Sequence, residues 1–236
     1  MNIKKHIPNS ITLLNLFCGC IALVFVSKLD FQNAFLFVCL GIFLDFFDGF
    51  FARLFKVSSP LGLQLDSLAD MVTSGVVPGY VMYQMFSNEY AFGQNSIFSY
   101  LGFVITLGAC YRLANFNIDT RQTDSFIGLP TPANALFFLS IPLWLTPDSI
   151  NYLPAILFSK WFYVALCFLS AFIMNAEIPL FSLKIKYFSL KKNALQIFFL
   201  ISCLFFILFF RNLGVAMIIV FYVLLSVINN SFIKKK

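Results

Sequence analysis

A chain of 236 residues that is 60% hydrophobic and 11% charged, with 33 phenylalanines and a mean hydropathy of +0.88, carries more apolar surface than a soluble interior of this size can hide. This excludes an ordinary soluble domain and predicts an all-α, polytopic bundle of transmembrane helices. A net charge of +6 calls for membrane orientation as its explanation, not nucleic acid.

Residues 1–9 alternate basic and apolar character, which predicts a short interfacial helix before the first span. The first apolar run, Ile11 to Val26, follows Lys4, Lys5 and His6, but at least six more runs come after it, so a cleaved leader does not account for the composition. At about 20 residues per crossing, about eight spans are expected, near 10–27, 31–54, 63–87, 97–117, 131–146, 155–175, 194–210 and 213–230. Turn signals separate them at Ser58-Ser59-Pro60, Asn88 to Asn95 and Thr146-Pro147-Asp148. No soluble domain fits between them, so 1–236 reads as a single membrane domain. The six cysteines all lie within apolar runs and read as small packing residues, and His6, the one histidine, reads as an interfacial cation.

With eight spans and a cytoplasmic N-terminus, Lys4, Lys5, Arg53, Lys56, Arg112, Arg121, Lys184, Lys186, Lys191, Lys192 and Lys234 to Lys236 fall on the cytoplasmic side. Only Lys28, Lys160 and Arg211 fall on the other. The expectation is a multi-pass protein of the cell (inner) membrane with both termini in the cytoplasm, whose basic rim favours anionic headgroups.

Four of the ten acidic residues crowd the end of the second run and the start of the third: Asp45, Asp48, Asp66 and Asp70. An aspartate left at the bilayer centre costs about 2.5–3.5 kcal/mol on insertion scales, so four need compensation. Asp45 and Asp48 stand at i and i+3, Asp66 and Asp70 at i and i+4, so each pair projects from one helix face. A hairpin centred near Val57-Ser58 brings Asp45 level with Asp70, Asp48 with Asp66 and Arg53 with Gly62. At about 1.5 Å rise per residue, the deeper pair lies roughly 12 Å below the turn. Four close carboxylates repel, and two divalent cations balance them. All-oxygen ligation favours Mg²⁺ or Mn²⁺ and admits calcium. Such a cluster suits phosphoryl chemistry, in which metals neutralise phosphate oxygens. Gly49, Ala52 and Gly62, on or near the same faces, leave room for a ligand or for close helix packing.

Asp45-Phe-Phe-Asp48-Gly49-Phe-Phe-Ala52-Arg53, then Gly62, Asp66 and Asp70, match every fixed position of the signature D-x2-D-G-x2-A-R-x8-G-x3-D-x3-D. The chain thereby resembles the CDP-alcohol phosphotransferase family. The resemblance implies that Asp45, Asp48 and Asp66 are metal ligands, that Asp70 both approaches the metal site and acts as general base, and that Gly49, Ala52, Arg53 and Gly62 line the CDP site beside Asp48 and Asp66. It also implies a homodimer.

Outside the signature, Ile7-Pro8-Asn9-Ser10-Ile11-Thr12-Leu13-Leu14-Asn15, Arg112-Leu113-Ala114-Asn115-Phe116-Asn117 and Gly128-Leu129-Pro130-Thr131-Pro132-Ala133 resemble the phosphatidylserine synthase branch. Asn115 stands where that branch usually has a basic residue. This resemblance implies CDP-diacylglycerol and L-serine as substrates, phosphatidylserine and CMP as products, and Asn9 and Thr12 at the CDP-lipid. The serine or phosphate site is expected at Arg112, Arg121, Gly128, Pro130 and Thr131, since guanidinium suits a carboxylate or phosphate. The alternatives are the same chemistry with glycerol 3-phosphate or inositol phosphate as acceptor, and a divalent-cation transporter. Acids confined to one half of the membrane count against a transporter path.

Overall fold

A computed structural model describes residues 6–57, 59–87, 97–119, 126–145, 154–181 and 193–233. Helix α1 spans Ile7–Ser27 and α2 Phe31–Phe55; α3, Pro60–Asp70, runs through a π-helical turn, Met71–Val76, into α4, Val77–Ser87. A 3-10 turn leads into α5, Val104–Ile118, followed by α6, Thr131–Trp144, α7, Lys160–Asn175, and α8, Ala194–Ile233. Four helices among the described residues, Ile7–Ser27, Phe31–Phe55, Ile97–Ile118 and Ala194–Asn230, are long and apolar enough to cross a membrane. The protein is therefore an all-α membrane protein.

Two elements differ from the sequence expectation. Ile7 to Asn9 belong to the first turn of α1, with Pro8 near its start, where a missing N–H costs nothing, so the described part of the N-terminus runs straight into the span. The last two expected spans form one helical run broken at Arg211, whose φ of 49° and ψ of −120° are not helical. Asn212 donates to the Leu143 carbonyl beside that break.

Helices α1 and α2 form an antiparallel hairpin. Asp30 caps α2 by accepting from the Asn33 backbone N–H and side chain, and these bonds hold its carboxyl below the usual carboxylate range. Alanine and valine line the seam, with Ala22, Val26, Ala34 and Val38 fully buried, because lipid gives apolar side chains no drive to associate and close backbone approach must supply it. Between α5 and α7 the same device recurs: a Cβ on Gly108 would stand 2.7 Å from that of Ala171. Bulky residues such as Phe43, Phe46, Leu204, Leu208 and Phe209 are exposed, as a lipid-facing surface requires. All six cysteines are free; Cys18 and Cys167 are buried as packing residues should be, whereas Cys20 and Cys110 are exposed on the helix surface, contrary to that expectation.

Helix α2 ends on Lys56 in the left-handed conformation, φ 54°, and α3 starts on a Ser59 cap whose hydroxyl accepts from the Gly62 N–H at 3.0 Å. This turn reverses the chain so that α3, like α2, packs against α1, and the two aspartate helices meet the cavity at the end where α1 begins.

Candidate active site

Every buried polar group in a membrane protein needs a partner, and the four signature aspartates meet Thr12 and Asn15 where α1, α2 and α3 come together. Asp45, Asp48 and Asp66 each present an oxygen within 4.8 Å of the others. The expectation was two tiers, Asp45 with Asp70 and Asp48 with Asp66. Asp66 lies within reach of Asp45 as well as of Asp48, so the two tiers run together into a group of three, and Asp70 is held by Asn15 next to it. Asp48 accepts from the Thr12 hydroxyl at 2.5 Å, and Asp70 accepts from the Asn15 amide at 3.2 Å. One oxygen, Asp45 Oδ1, is buried with no hydrogen-bond partner. An orphaned carboxylate oxygen inside an all-oxygen cluster fits a divalent cation, since hard cations take such ligands and supply the missing positive charge.

A cavity of about 610 Å³ opens beside this cluster. Its walls include Asn9, Thr12, Asp48, Gly49, Ala52, Gly62 and Asp66, seven of the eight residues expected at the CDP-lipid. The eighth, Arg53, is exposed next to it, with its guanidinium along Gly49, 3.5 Å from where a Cβ would stand. His6 and Lys56 also line the cavity. Sequence reading placed both at the interface but missed their approach to this space; the hairpin register, which returns α1 and α2 to one end, was the signal for it.

The expected acceptor-site residues are placed differently. Arg112 is buried and its Nη1 donates to the carbonyls of Ile127, at 2.9 Å, and Met174, at 2.7 Å. It clasps the short antiparallel pair formed by β1, Phe126–Ile127, and β2, Pro179–Leu180, onto the ends of α5 and α7. Gly128 has φ of 73°, donates to the Ile178 carbonyl, and leaves no room for a side chain against the Met174 carbonyl. Pro130 precedes α6 and Thr131 opens it, buried. These four form a structural corner, which accounts for their motif on packing grounds. Arg121 lies outside the described residues, as do Lys184 and Lys186.

Sequence reading also left Asn15 and Thr73 unassigned. Both are fully buried, and Thr73 donates to Asn15 Oδ1 at 2.9 Å. A lone asparagine amid the apolar run of the first span was the available signal.

Fold and site together define an integral membrane enzyme built on a carboxylate cluster beside a nucleotide-sized cavity. The chain belongs to the CDP-alcohol phosphatidyltransferase family, whose model matches residues 5–172. It is similar to a CDP-diacylglycerol–serine O-phosphatidyltransferase of Bacillus subtilis, 36% identical over 54% of this chain and 70% of that protein. A Methanocaldococcus jannaschii protein of the same description is 34% identical over 66% of this chain and 71% of the relative. One from Helicobacter pylori strain J99 is 40% identical over 55% of this chain, and the match spans 54% of its length.

Proposed function

We propose that the protein transfers the phosphatidyl group of CDP-diacylglycerol to the hydroxyl of L-serine, releasing CMP, and that residues 1–236 act as one membrane domain. The observation that carries the reading is the three-carboxylate cluster, with its orphaned oxygen, set against the cavity between α1, α2 and α3. The similarity to serine phosphatidyltransferases supports serine as the acceptor.

Asp45, Asp48 and Asp66 hold the metal, two ions of Mg²⁺ or Mn²⁺ in this reading, with Asp70 at the edge of the site. Bound there, divalent cations neutralise the diphosphate oxygens and make CMP a better leaving group. Thr12 fixes the Asp48 carboxylate by its hydrogen bond. Asn9, Gly49, Ala52, Arg53 and Gly62 receive the CDP moiety, the glycines leaving space for it. Asp70 takes the serine hydroxyl proton while the serine oxygen bonds to phosphorus and the bond from phosphorus to the CMP oxygen breaks. In this reading Arg121 and Arg112, whose Nη1 is engaged by backbone, are both candidates for the serine carboxylate.

The decisive experiment incubates purified protein with CDP-diacylglycerol and serine, glycerol 3-phosphate or inositol phosphate, and identifies the lipid product. Phosphatidylserine and stoichiometric CMP are expected, and a product from another acceptor alone overturns the assignment.

The reading includes an inner-membrane location with the α2–α3 turn in the cytoplasm, which the lysine and arginine distribution supports. A Ser59→Cys variant should react with an impermeant thiol reagent from the cytoplasmic face of oriented vesicles, and reaction from the outer face alone reverses the topology. The homodimer implied by family resemblance is tested by the mass of the detergent-solubilised protein.

A further inference from the structure

Asn15, Thr73 and the π-helical turn after Asp70 lie outside the cavity wall, and the two side chains form a fully enclosed polar pair. Asn15 on α1 and Thr73 in the turn are each 0% exposed. The Thr73 hydroxyl lies 2.9 Å from Asn15 Oδ1 and 3.2 Å from the Asn15 backbone carbonyl. On its other side Asn15 Nδ2 donates to Asp70 Oδ1 at 3.2 Å.

The amide has only one workable orientation. A carboxylate accepts and cannot donate, so the NH₂ must face Asp70, and Oδ1 is left to take the hydroxyl proton of Thr73. Packing prevents either residue from turning away. A Cβ on Gly41 would lie 2.8 Å from Asn15 Oδ1 and 2.9 Å from Thr73 Cγ2, and one on Gly19 would lie 2.6 Å from Thr73 Oγ1. Two glycines on two helices thus press against the pair.

The wide turn has a local cause. Pro78 has no N–H for the Ser74 carbonyl four residues before it, and its ring would strike that carbonyl in a regular helix. The chain widens instead, with the Val77 N–H bonding to the Val72 carbonyl five residues back, and Thr106 donates to the Gly75 carbonyl at 2.9 Å. Single π turns of this kind recur at functional sites.

We propose that Asn15 and Thr73 are positioning residues: Thr73 orients the Asn15 amide, and the amide fixes the plane of the Asp70 carboxylate for proton transfer. This rests on Asp70 acting as the base. Pinning one oxygen sets the direction of the other, and small misplacements of a reacting group are costly in rate.

The test compares Thr73→Val, which keeps shape but loses the hydroxyl, with Thr73→Ser, which keeps the hydroxyl, alongside Asn15→Leu and Asp70→Asn. For each, kcat, KM for CDP-diacylglycerol and the thermal midpoint are measured at saturating metal. Thr73→Val should lower kcat by roughly 10- to 100-fold with KM within about twofold, and should lower the midpoint by a few degrees because buried Asn15 Oδ1 loses its donor, and Thr73→Ser should recover most of both losses. Asn15→Leu should fall further. A loss in Thr73→Val that serine does not restore, or one matched by a rise in KM, assigns Thr73 to packing and overturns the inference. Normal kcat in Thr73→Val beside an inactive Asp70→Asn also overturns it while leaving the base in place. Turnover by Asp70→Asn removes the base assignment itself.

Discussion

Two hollows among the described residues obey different rules. The cavity between α1, α2 and α3, about 610 Å³, has Asp48 and Asp66 in its wall, whereas the groove between α6, α7 and α8, about 390 Å³, is lined by side chains such as Phe137, Ile141, Phe206, Met217 and Phe221. In the first, geometry is set by hydrogen bonds and charge, which are directional and tolerate little displacement. In the second it is set by dispersion and shape, which many side chains satisfy. The difference teaches where substitution should act on chemistry and where on stability alone.

The sharpest way to break that contrast is at the cluster. Asp66→Asn or Asp45→Asn removes a ligand charge and should lower turnover on the order of 1,000-fold, a loss typical of removing a key electrostatic group. Exhaustive chelation should silence the unaltered protein likewise, and re-addition of Mg²⁺ or Mn²⁺ should restore it. Full turnover in chelator would sink the metal assignment.

A smaller effect sharpens it. Thr12→Val deletes the hydroxyl that donates to Asp48 and should weaken metal affinity by about 10-fold, as loss of a ligand's outer partner does. A metal titration of activity reads this directly. An unchanged midpoint would mean that Asp48 is held by the cluster itself.

On the apolar side of the molecule, Tyr222→Phe, next to the groove residue Phe221 but outside the groove's lining, removes a hydrogen bond to the Phe181 carbonyl, 2.9 Å, within a packed aromatic group that includes Phe199. The expected cost is about 1 kcal/mol of stability, with kcat and KM of the folded protein unchanged. A change in kcat would show that the two regions are coupled. The least effect belongs to Asp30, exposed at the start of α2. Its carboxyl is held below the usual value by Asn33, so its stabilisation is present at neutral pH and is lost as pH falls below about 3.9. Asp30→Asn should flatten the acid limb of thermal stability without altering activity at neutral pH.

Much of the first region was legible in the sequence because its determinants are local. The i, i+3 and i, i+4 aspartates and the Ser-Ser-Pro turn lie within one hairpin, so helix geometry alone brings Asp48 towards Asp66. Asn9 and Thr12 came from motif resemblance. What was not legible depends on separation: Asn15 meets Thr73 across 58 positions, and the register of α1 against the wide turn follows from Gly19, Gly41 and Pro78 together. The backbone contacts of Arg112 were hidden for a related reason. Its charge suggested a ligand, whereas the carbonyls that it satisfies lie at Ile127 and at Met174, 62 positions away. The break at Arg211 lies between two apolar runs that periodicity could divide but not join.

The order of the elements along the chain has a consequence for biosynthesis. The cluster, Asn15 and Thr73 all come from residues before the end of the π turn at Val76, whereas the helices around the apolar groove begin at Thr131. At roughly 5–20 residues per second, the carboxylates have reached the membrane on the order of ten seconds before α8 is complete. During that interval the aspartates need protons or cations to offset their charge. The membrane-insertion machinery therefore handles the signature aspartates before the apolar helices that follow them.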